Sequence, residues 1–252
     1  MRARFLATMM ALATSAVTAV ACGSNDAGGP WDEPSSATTF ASRLGQIGIA
    51  VPARGRFILV NIPAFQLIAI ENGRPVLQSR VIVGRPITPT PELLSPLYAV
   101  RVNPSWTPTP AMVRKEGARP APPGPGNPLG QILFELDNDD LIYLHDTNDK
   151  SLFDRADRAL SHGCVRVQRA RALAAWALGK SEGDVAQMIA GGATRSVPLS
   201  APIPVLLTYR TRFPDGDGEM KTYPDIYGHR QIADLQRGAA QQTVPAGCRS
   251  SF

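Results

Sequence analysis

The chain has 252 residues, of which 44% are hydrophobic and 19% are charged, and its 26 Lys and Arg against 21 Asp and Glu give a formal net charge of +5. This length and composition predict a folded protein and exclude a mainly disordered chain, a collagen and a long coiled coil. Three cysteines are too few for a disulfide framework. No stripe of basic and aromatic residues accompanies the small positive charge, so the sequence predicts no nucleic-acid partner.

Residues 1–21 have the pattern of an export signal. Arg2 and Arg4 precede an apolar stretch from Phe5 to Ala21 that contains no charged residue. The stretch is only just long enough to cross a bilayer and has no basic residues after it, so a signal is favoured over a membrane anchor. The sequence therefore predicts export from the cytoplasm.

The junction after this stretch is compatible with two kinds of processing. It fits a small-x-small cleavage site after Ala21, and it also fits a lipoprotein box in which Cys22 becomes the lipidated first residue. We favour lipidation of Cys22, which would anchor the chain to a membrane, over simple cleavage. Residues 22–40 are rich in Gly, Ser, Asp, Pro and Thr and predict a flexible linker before a folded domain over 41–252.

Short β-rich segments occur in both halves of this domain. Strands are predicted over 57–62, 66–70, 76–83, 98–103, 132–136, 141–144 and 204–209. An Asn-Gly pair at 72–73 predicts a tight hairpin turn. Helical periodicity occurs over 169–178 and 181–190, where Ser181 and Asp184 have capping-box spacing. The pattern predicts a mainly β domain with a few helices.

The region from Pro104 to Pro128 is rich in proline and has no clear periodicity. It is too long for a plain connection between two strands. Loops of this length in compact domains are usually lids or binding loops. We therefore expect this region to border a cleft.

Residues with catalytic potential concentrate in two segments, YLHDT at 143–147 and SHGCVRV at 161–167. These segments contain two of the three histidines of the chain, His145 and His162, together with Cys164. A cysteine attacks as its thiolate, and a nearby imidazole or positive charge favours that form by lowering the thiol pKa. Either histidine could act on Cys164 in this way.

Gly163 allows a backbone bend directly before the cysteine, which a side chain at this position would resist. Such a bend would present the sulfur and direct nearby backbone N–H groups at a substrate carbonyl oxygen. It also favours His145 as the base, because an extended segment would be needed to place His162 on the same face as Cys164.

Two other interpretations of these residues remain open at this stage. Cys164 could be a small buried apolar residue, as a single cysteine usually is. Alternatively the cysteine, the two histidines and Asp146 could bind zinc, although the spacing lacks the paired ligands of zinc motifs. His229 is isolated in the sequence and is expected to be structural.

The segment from Ser161 to Arg166, with His145 upstream, resembles the active-site signature of the L,D-transpeptidases, the YkuD-type catalytic domain of bacterial cell-wall enzymes. The resemblance to the large Gram-negative branch of that family extends over residues 57–235. It includes NIPA at 61–64, VIVGRP at 81–86, TPTP at 88–91, VNPSW at 102–106, residues 122–129, HDT at 145–147, RAL at 158–160, PIPV at 202–205 and DIYG at 225–228.

The resemblance implies a β-sandwich-like catalytic domain in which Cys164 accepts an acyl group from a peptidoglycan tetrapeptide and releases D-Ala. It implies that His145 removes the thiol proton and later activates the acceptor amine. The backbone oxygen of Asp146, or its carboxylate, would fix the imidazole tautomer. Backbone N–H groups of His162, Gly163 and Cys164 would hold the oxyanion. No cofactor or metal is implied.

Three further residues are candidates for substrate binding. Arg166 follows the family pattern and would position a substrate carboxylate, with a structural ion pair as an equal alternative. Tyr143 and Trp106 are candidates for lining the cleft. The implied location is the periplasm.

The identity of the acceptor stays open. It could be the amine of a second stem peptide or of a protein lysine. Water in its place would make the protein an L,D-carboxypeptidase or a peptidoglycan hydrolase, and a wall-binding lipoprotein without catalysis is a further alternative.

Two features differ from the large members of the family. We expect the short linker over 22–40 in place of a peptidoglycan-binding module, so that the cleft alone captures the substrate. Cys248 has no counterpart in the family and is expected to be a thiol in a tail, with a disulfide to Cys164 as the alternative.

Overall fold

A computed structural model describes residues 34–215 and 218–229, with side chains from Phe40 onward. The predicted signal over 1–21, the lipidation site at Cys22 and the thiol of Cys248 lie outside these residues.

Four α-helices, a short 3-10 helix and eleven strands occur in the described part of the chain. The first half contains α1 (Pro34–Gln46), β1 (Arg56–Asn61), β2 (Gln66–Glu71), β3 (Arg74–Gly84), β4 (Leu93–Val102), α2 (Pro110–Glu116) and β5 (Ile132–Leu136). The second half contains β6 (Leu144–His145), the 3-10 helix (Ser151–Asp154), β7 (Ala159–Ser161), β8 (Val165–Val167), α3 (Ala170–Leu178), α4 (Glu182–Ala190), β9 (Arg195–Thr208), β10 (Arg212–Pro214) and β11 (Met220–Thr222).

Nine of the strands form one sheet in the order β2-β1-β9-β4-β5-β6-β8-β3-β7. A further pairing of β2 with β3 closes the sheet into a barrel-like sandwich, with β7 attached beside β3. Strands β1 and β9, β6 and β8, and β3 and β7 run parallel, while the other pairs are antiparallel. The predicted mainly β class with a few helices is confirmed.

The main core lies inside this closed sheet. Alternate side chains of the strands point inward and are fully buried, among them Val60, Val100, Phe134 and Val165. Helices α3 and α4 pack against the same core. The short strands β6 and β8 are therefore held by the packing of the whole sheet.

A second apolar cluster lies between α1 and the strands β1 and β2. Phe40 and Leu44 are four positions apart on one face of α1, and both are buried against Phe57 and Phe213. The helix begins at Pro34, inside the segment 22–40 that the composition predicts as a linker. The folded part of the chain thus starts earlier than its composition indicates.

Several local predictions are confirmed. Asn72 and Gly73 have φ angles of 51° and 77° and connect β2 to β3 in an antiparallel hairpin. Ser181 and Asp184 form a capping box at the start of α4.

Two segments differ from their predictions. The strand predicted over 141–144 is reduced to Leu144–His145, because the Asn138 side chain bonds both the N–H and the carbonyl of Ile142 and extends the preceding loop. The proline-rich region contains α2, which the sequence pattern did not predict. None of the helices in the described residues combines the length and the apolar character that a membrane span requires.

Candidate active site

Cys164 lies at the end of a tight turn between β7 and β8. Gly163 has a φ of 120°, in a region that favours glycine, so the chain bends as the sequence predicts. The Ser161 hydroxyl accepts a hydrogen bond from the Gly163 N–H at 3.1 Å and donates to the Cys164 carbonyl at 2.5 Å. The Thr90 hydroxyl donates to the Gly163 carbonyl at 2.6 Å. Two side chains therefore hold the backbone of this turn.

The thiol of Cys164 is accessible. It is a free cysteine of intermediate exposure, and its Sγ lies 3.8 Å from the carbonyl oxygen of Leu141. Leu141 has a φ of 55°, a left-handed conformation that is uncommon for a residue with a bulky side chain. Such strained residues cluster at active sites. The sequence contained no signal for this contact, because a leucine at the start of an apolar segment is typical of a strand.

The pairing of β6 with β8 places His145 beside Arg166, two positions after Cys164. The two strands are parallel and His145 is paired with Arg166. Paired residues point to the same face of a sheet. The side chains of His145 and Arg166 therefore share one face, and Cys164 lies in the turn directly before β8.

The His145 ring is buried, and a backbone group orients it. Its Nδ1 atom lies 2.5 Å from the carbonyl oxygen of Asp146. Because a carbonyl oxygen can only accept, this contact assigns the proton to Nδ1 and leaves Nε2 as the basic nitrogen. The Asp146 carboxylate accepts from the Gln131 N–H at 3.0 Å and from the Lys150 ammonium, so it faces other partners.

The electrostatics of the site favour a neutral imidazole and a neutral thiol. Burial, and then the positive charge of Arg166, lower the pKa of His145 to about 4, which the carbonyl and charge of Asp146 and a backbone hydrogen bond with Leu129 only partly offset. Burial raises the pKa of Cys164, while the backbone of Tyr143 and the charge of Arg166 lower it less strongly. The positive group that acts on the thiol is thus Arg166, whereas the sequence pattern predicted an imidazole in this role.

His162 points to a different part of the molecule. Its Nε2 lies 2.6 Å from Oε1 of Glu116, the last residue of α2, and Arg85 lies 3.6 Å from the same carboxylate oxygen. Within the described part of the chain, the His162 ring bonds Glu116 and not Cys164. The contact places α2 beside the turn that carries Cys164, and the hydrogen bond from His162 lowers the pKa of Glu116.

The proposed oxyanion donors are not equivalent in this turn. The Gly163 N–H already donates to Ser161, so it can reach a substrate only by giving up that bond. The Cys164 N–H has no protein acceptor within the described residues. Of these two N–H groups, the Cys164 N–H is therefore the one that a substrate oxygen can bind without breaking a hydrogen bond of the protein.

The three predicted substrate-binding residues have different surroundings. Arg166 is half-buried, its Nε has no hydrogen-bond partner, and no ion pair within 34–215 and 218–229 includes it. Tyr143 is half-buried in the segment that enters β6. Trp106 pairs through its backbone with Ala121.

The described residues contain no group of three or more His, Cys, Asp and Glu side chains that could hold a metal ion.

His229 lies against Tyr209, with ring centroids 4.3 Å apart, and its N–H donates to Asp225. These contacts fit the structural role that its isolated position predicts.

Residues 55–198 match the model of the L,D-transpeptidase catalytic domain, YkuD. A Haemophilus influenzae protein whose name assigns it to the L,D-transpeptidases is 34% identical over 221 residues, which cover 69% of this chain and 45% of the relative. The chain therefore spans less than half the length of this curated relative.

Solved structures with a similar fold are more distant. An L,D-transpeptidase from Mycobacterium smegmatis is 15% identical, with a TM-score of 0.39 over 61% of this chain and 58% of that one. L,D-transpeptidase 3 from Mycobacterium tuberculosis is 13% identical, with a TM-score of 0.41 over 63% of this chain and 62% of that one. The family model matches more than half of this chain, and the chain therefore belongs to the L,D-transpeptidase catalytic domain family.

Proposed function

We propose that this protein is a peptidoglycan L,D-transpeptidase that uses Cys164 as its nucleophile. The observation that carries the proposal is an accessible thiol directly before β8, the strand that pairs with the strand carrying an imidazole of defined tautomer. An acyl transfer needs a nucleophile, a base within reach of it and a donor for the oxyanion. Cys164, His145 and the Cys164 N–H supply these three groups.

Acylation starts from the neutral pair. The sulfur of Cys164 attacks the carbonyl carbon of the bond before the terminal D-Ala, and His145 Nε2 takes the thiol proton as the C–S bond forms. The Cys164 N–H stabilises the negative charge on the carbonyl oxygen. The C–N bond then breaks, the proton passes from His145 to the leaving amine, and a thioester remains on the enzyme.

Transfer reverses these proton movements. The amine of an acceptor attacks the thioester carbon, His145 takes a proton from that amine, and the C–S bond breaks. The proton then returns to the sulfur, which restores the thiol. A diaminopimelate side chain or a protein lysine supplies such an amine, and water in the same position would give hydrolysis.

Arg166 is proposed to bind a carboxylate of the stem peptide. Its guanidinium is half-buried and lies near the thiol; the Asp149 carboxylate acts on it electrostatically, but no ion pair within the described residues includes it. Arginine pairs well with carboxylates because its planar group can donate two parallel hydrogen bonds. Tyr143, whose backbone adjoins the Cys164 thiol, and Trp106 are proposed to line the cleft.

The location is proposed from the N-terminal sequence. Export by residues 1–21 would place the domain in the periplasm, where peptidoglycan lies. Lipidation of Cys22 would keep the domain near the membrane and raise its local concentration there.

The test is to incubate the purified protein with disaccharide tetrapeptide and to follow the products by mass spectrometry. Transpeptidation gives a cross-linked dimer and free D-Ala, whereas hydrolysis gives tripeptide without dimer. The Cys164→Ala variant should give neither product. The proposal is contradicted if Cys164→Ala forms either product or if the natural protein forms none. Activity that is lost with a chelator would point to zinc chemistry instead.

A carbapenem provides an independent check of the nucleophile. Its lactam carbonyl should acylate Cys164 and add its whole mass to the protein. Peptide mapping should place the adduct on residue 164, and an adduct that persists in Cys164→Ala would contradict the assignment.

A further inference from the structure

Thr90 lies in the TPTP segment at 88–91, to which the proposed chemistry gives no role. Its side chain is buried, with 3% of its surface exposed, and its hydroxyl donates to the Gly163 carbonyl at 2.6 Å. We propose that Thr90 is a positioning residue, which holds the peptide between Gly163 and Cys164 so that the Cys164 N–H faces the substrate oxyanion. The inference rests on the proposed acyl transfer.

The planarity of the peptide bond is the first step of the argument. In a trans peptide the carbonyl and the following N–H point in opposite directions. Thr90 draws the Gly163 carbonyl toward the buried side of the turn. The Cys164 N–H is therefore turned away from Thr90, and no protein acceptor within the described residues engages it.

The direction of the Thr90 hydroxyl proton is fixed by the two hydrogen bonds of this hydroxyl. It already accepts a hydrogen bond from the Gly84 N–H at 2.8 Å. A hydroxyl has a single proton to donate, and the Gly163 carbonyl is the acceptor that receives it. The bond to Gly163 is thus set by the packing of β3 against the turn.

A second hydroxyl fixes the backbone of this segment. Tyr227 accepts from the Thr90 N–H at 3.1 Å and donates to the Gly84 carbonyl at 2.8 Å. Gly84 lets the backbone of residues 88–90 pack closely against it, because a Cβ there would lie 2.2 Å from the carbonyl oxygen of Thr88. Three segments that are distant in sequence therefore meet behind the nucleophile.

The expected effect follows from the role of an oxyanion donor. Removing such a donor lowers kcat by about 10²–10³, so an N–H that remains but is misdirected should lower acylation by about tenfold to a hundredfold. Alkylation of the same sulfur by iodoacetamide develops no oxyanion. It should therefore be insensitive to the direction of the Cys164 N–H.

The experiment compares Thr90→Val, which keeps the shape and removes the hydroxyl, with Thr90→Ser, which keeps the hydroxyl. For each protein we measure acylation of Cys164 by a carbapenem and by the stem tetrapeptide, and alkylation by iodoacetamide over a range of pH. We expect Thr90→Val to lose about tenfold to a hundredfold in acylation. Its alkylation rate and thiol pKa should stay close to those of the natural protein, and Thr90→Ser should restore acylation.

Tyr227→Phe is the matched control. It removes a half-buried hydroxyl from the same set of hydrogen bonds but leaves the bond from Thr90 to Gly163 in place. Thermal unfolding of all variants sets an assay temperature at which each is folded. We expect Tyr227→Phe to lower the unfolding temperature without the selective loss of acylation.

The outcomes separate the two proposals. If the natural protein is acylated and Thr90→Val is acylated as fast, or if Thr90→Val loses acylation and alkylation equally, the positioning role is wrong and the acyl transfer stands. If the natural protein is alkylated but neither acyl donor reacts, the proposed function fails, and the role of Thr90 fails with it.

Discussion

The Nδ1 atom of His145 lies 2.5 Å from the backbone carbonyl oxygen of Asp146, the next residue in the chain. A backbone group thus orients the imidazole, as a carboxylate does in a serine-protease triad. The Asp146 side chain instead bonds the Gln131 N–H and Lys150. The backbone of Asp146 thus orients the ring while its side chain bonds other groups, and this difference predicts the effect of replacing Asp146.

Asp146→Asn should keep most of the activity. The backbone oxygen is unchanged, and the amide oxygen can still accept from the Gln131 N–H. We expect kcat/KM for dimer formation to fall by less than about tenfold, whereas loss of a triad carboxylate that orients the ring lowers kcat by about 10⁴. Steady-state kinetics with tetrapeptide measure this, and a loss near the larger value would assign the orientation of the ring to the carboxylate.

The two histidines should respond differently to substitution. His145→Gln removes the base and should lower kcat by about 10²–10⁴. His162→Gln is the matched control, because it can still donate a hydrogen bond to Glu116, and it should change kcat by less than about tenfold. Rates of carbapenem acylation provide the comparison, and a reversed order would make His162 the base.

The alkylation rate of Cys164 should rise with pH through the alkaline range. Burial raises the thiol pKa above its ordinary value of 9.0, so the thiolate is scarce at neutral pH. We therefore expect the iodoacetamide rate to increase about tenfold for each pH unit between about pH 6 and 8. A rate that is constant over this range would show a stable thiolate–imidazolium pair. Cys164→Ala, which carries no nucleophile, corrects for other sites.

Acid should destabilise the fold through His145. The pKa of this buried residue is about 4 in the folded chain, below the ordinary value of 6.5, so the unfolded chain binds the additional proton between these values. The associated stability is present above about pH 6.5 and is lost as the pH falls toward 4, with a total near 3 kcal/mol. Urea unfolding at about pH 7 and pH 4.5 measures the difference. His145→Gln should show a smaller fall, and an equal fall in both proteins would mean that other groups cause it.

Features set by residues close together in the chain could be predicted from the sequence. The Asn-Gly turn at 72–73 has the positive φ angles that this hairpin needs, and Ser181 caps α4 because its hydroxyl reaches the Asp184 N–H. Helix α2 was missed although its signals are local, since Thr109 caps it and Gly117 ends it. The many prolines around it hid those signals.

The start of the folded domain could not be predicted in this way. The segment that forms α1 has the composition of a linker, and its isolated sequence would make a marginal helix. Phe40 and Leu44 stabilise this helix only because β1 and β2 present an apolar surface on which both side chains are buried.

By itself, the sequence determined the chemistry that is available: a cysteine after a glycine in SHGCVRV, and a histidine upstream in YLHDT. The tertiary structure decided how these groups are used. Glu116 and His162 are 46 positions apart, and Thr90 and Gly163 are 73 positions apart, yet each pair is in direct contact. Such contacts depend on strand register and on the closure of the sheet, which are set by the packing of the whole core and not by the residues on either side of a motif.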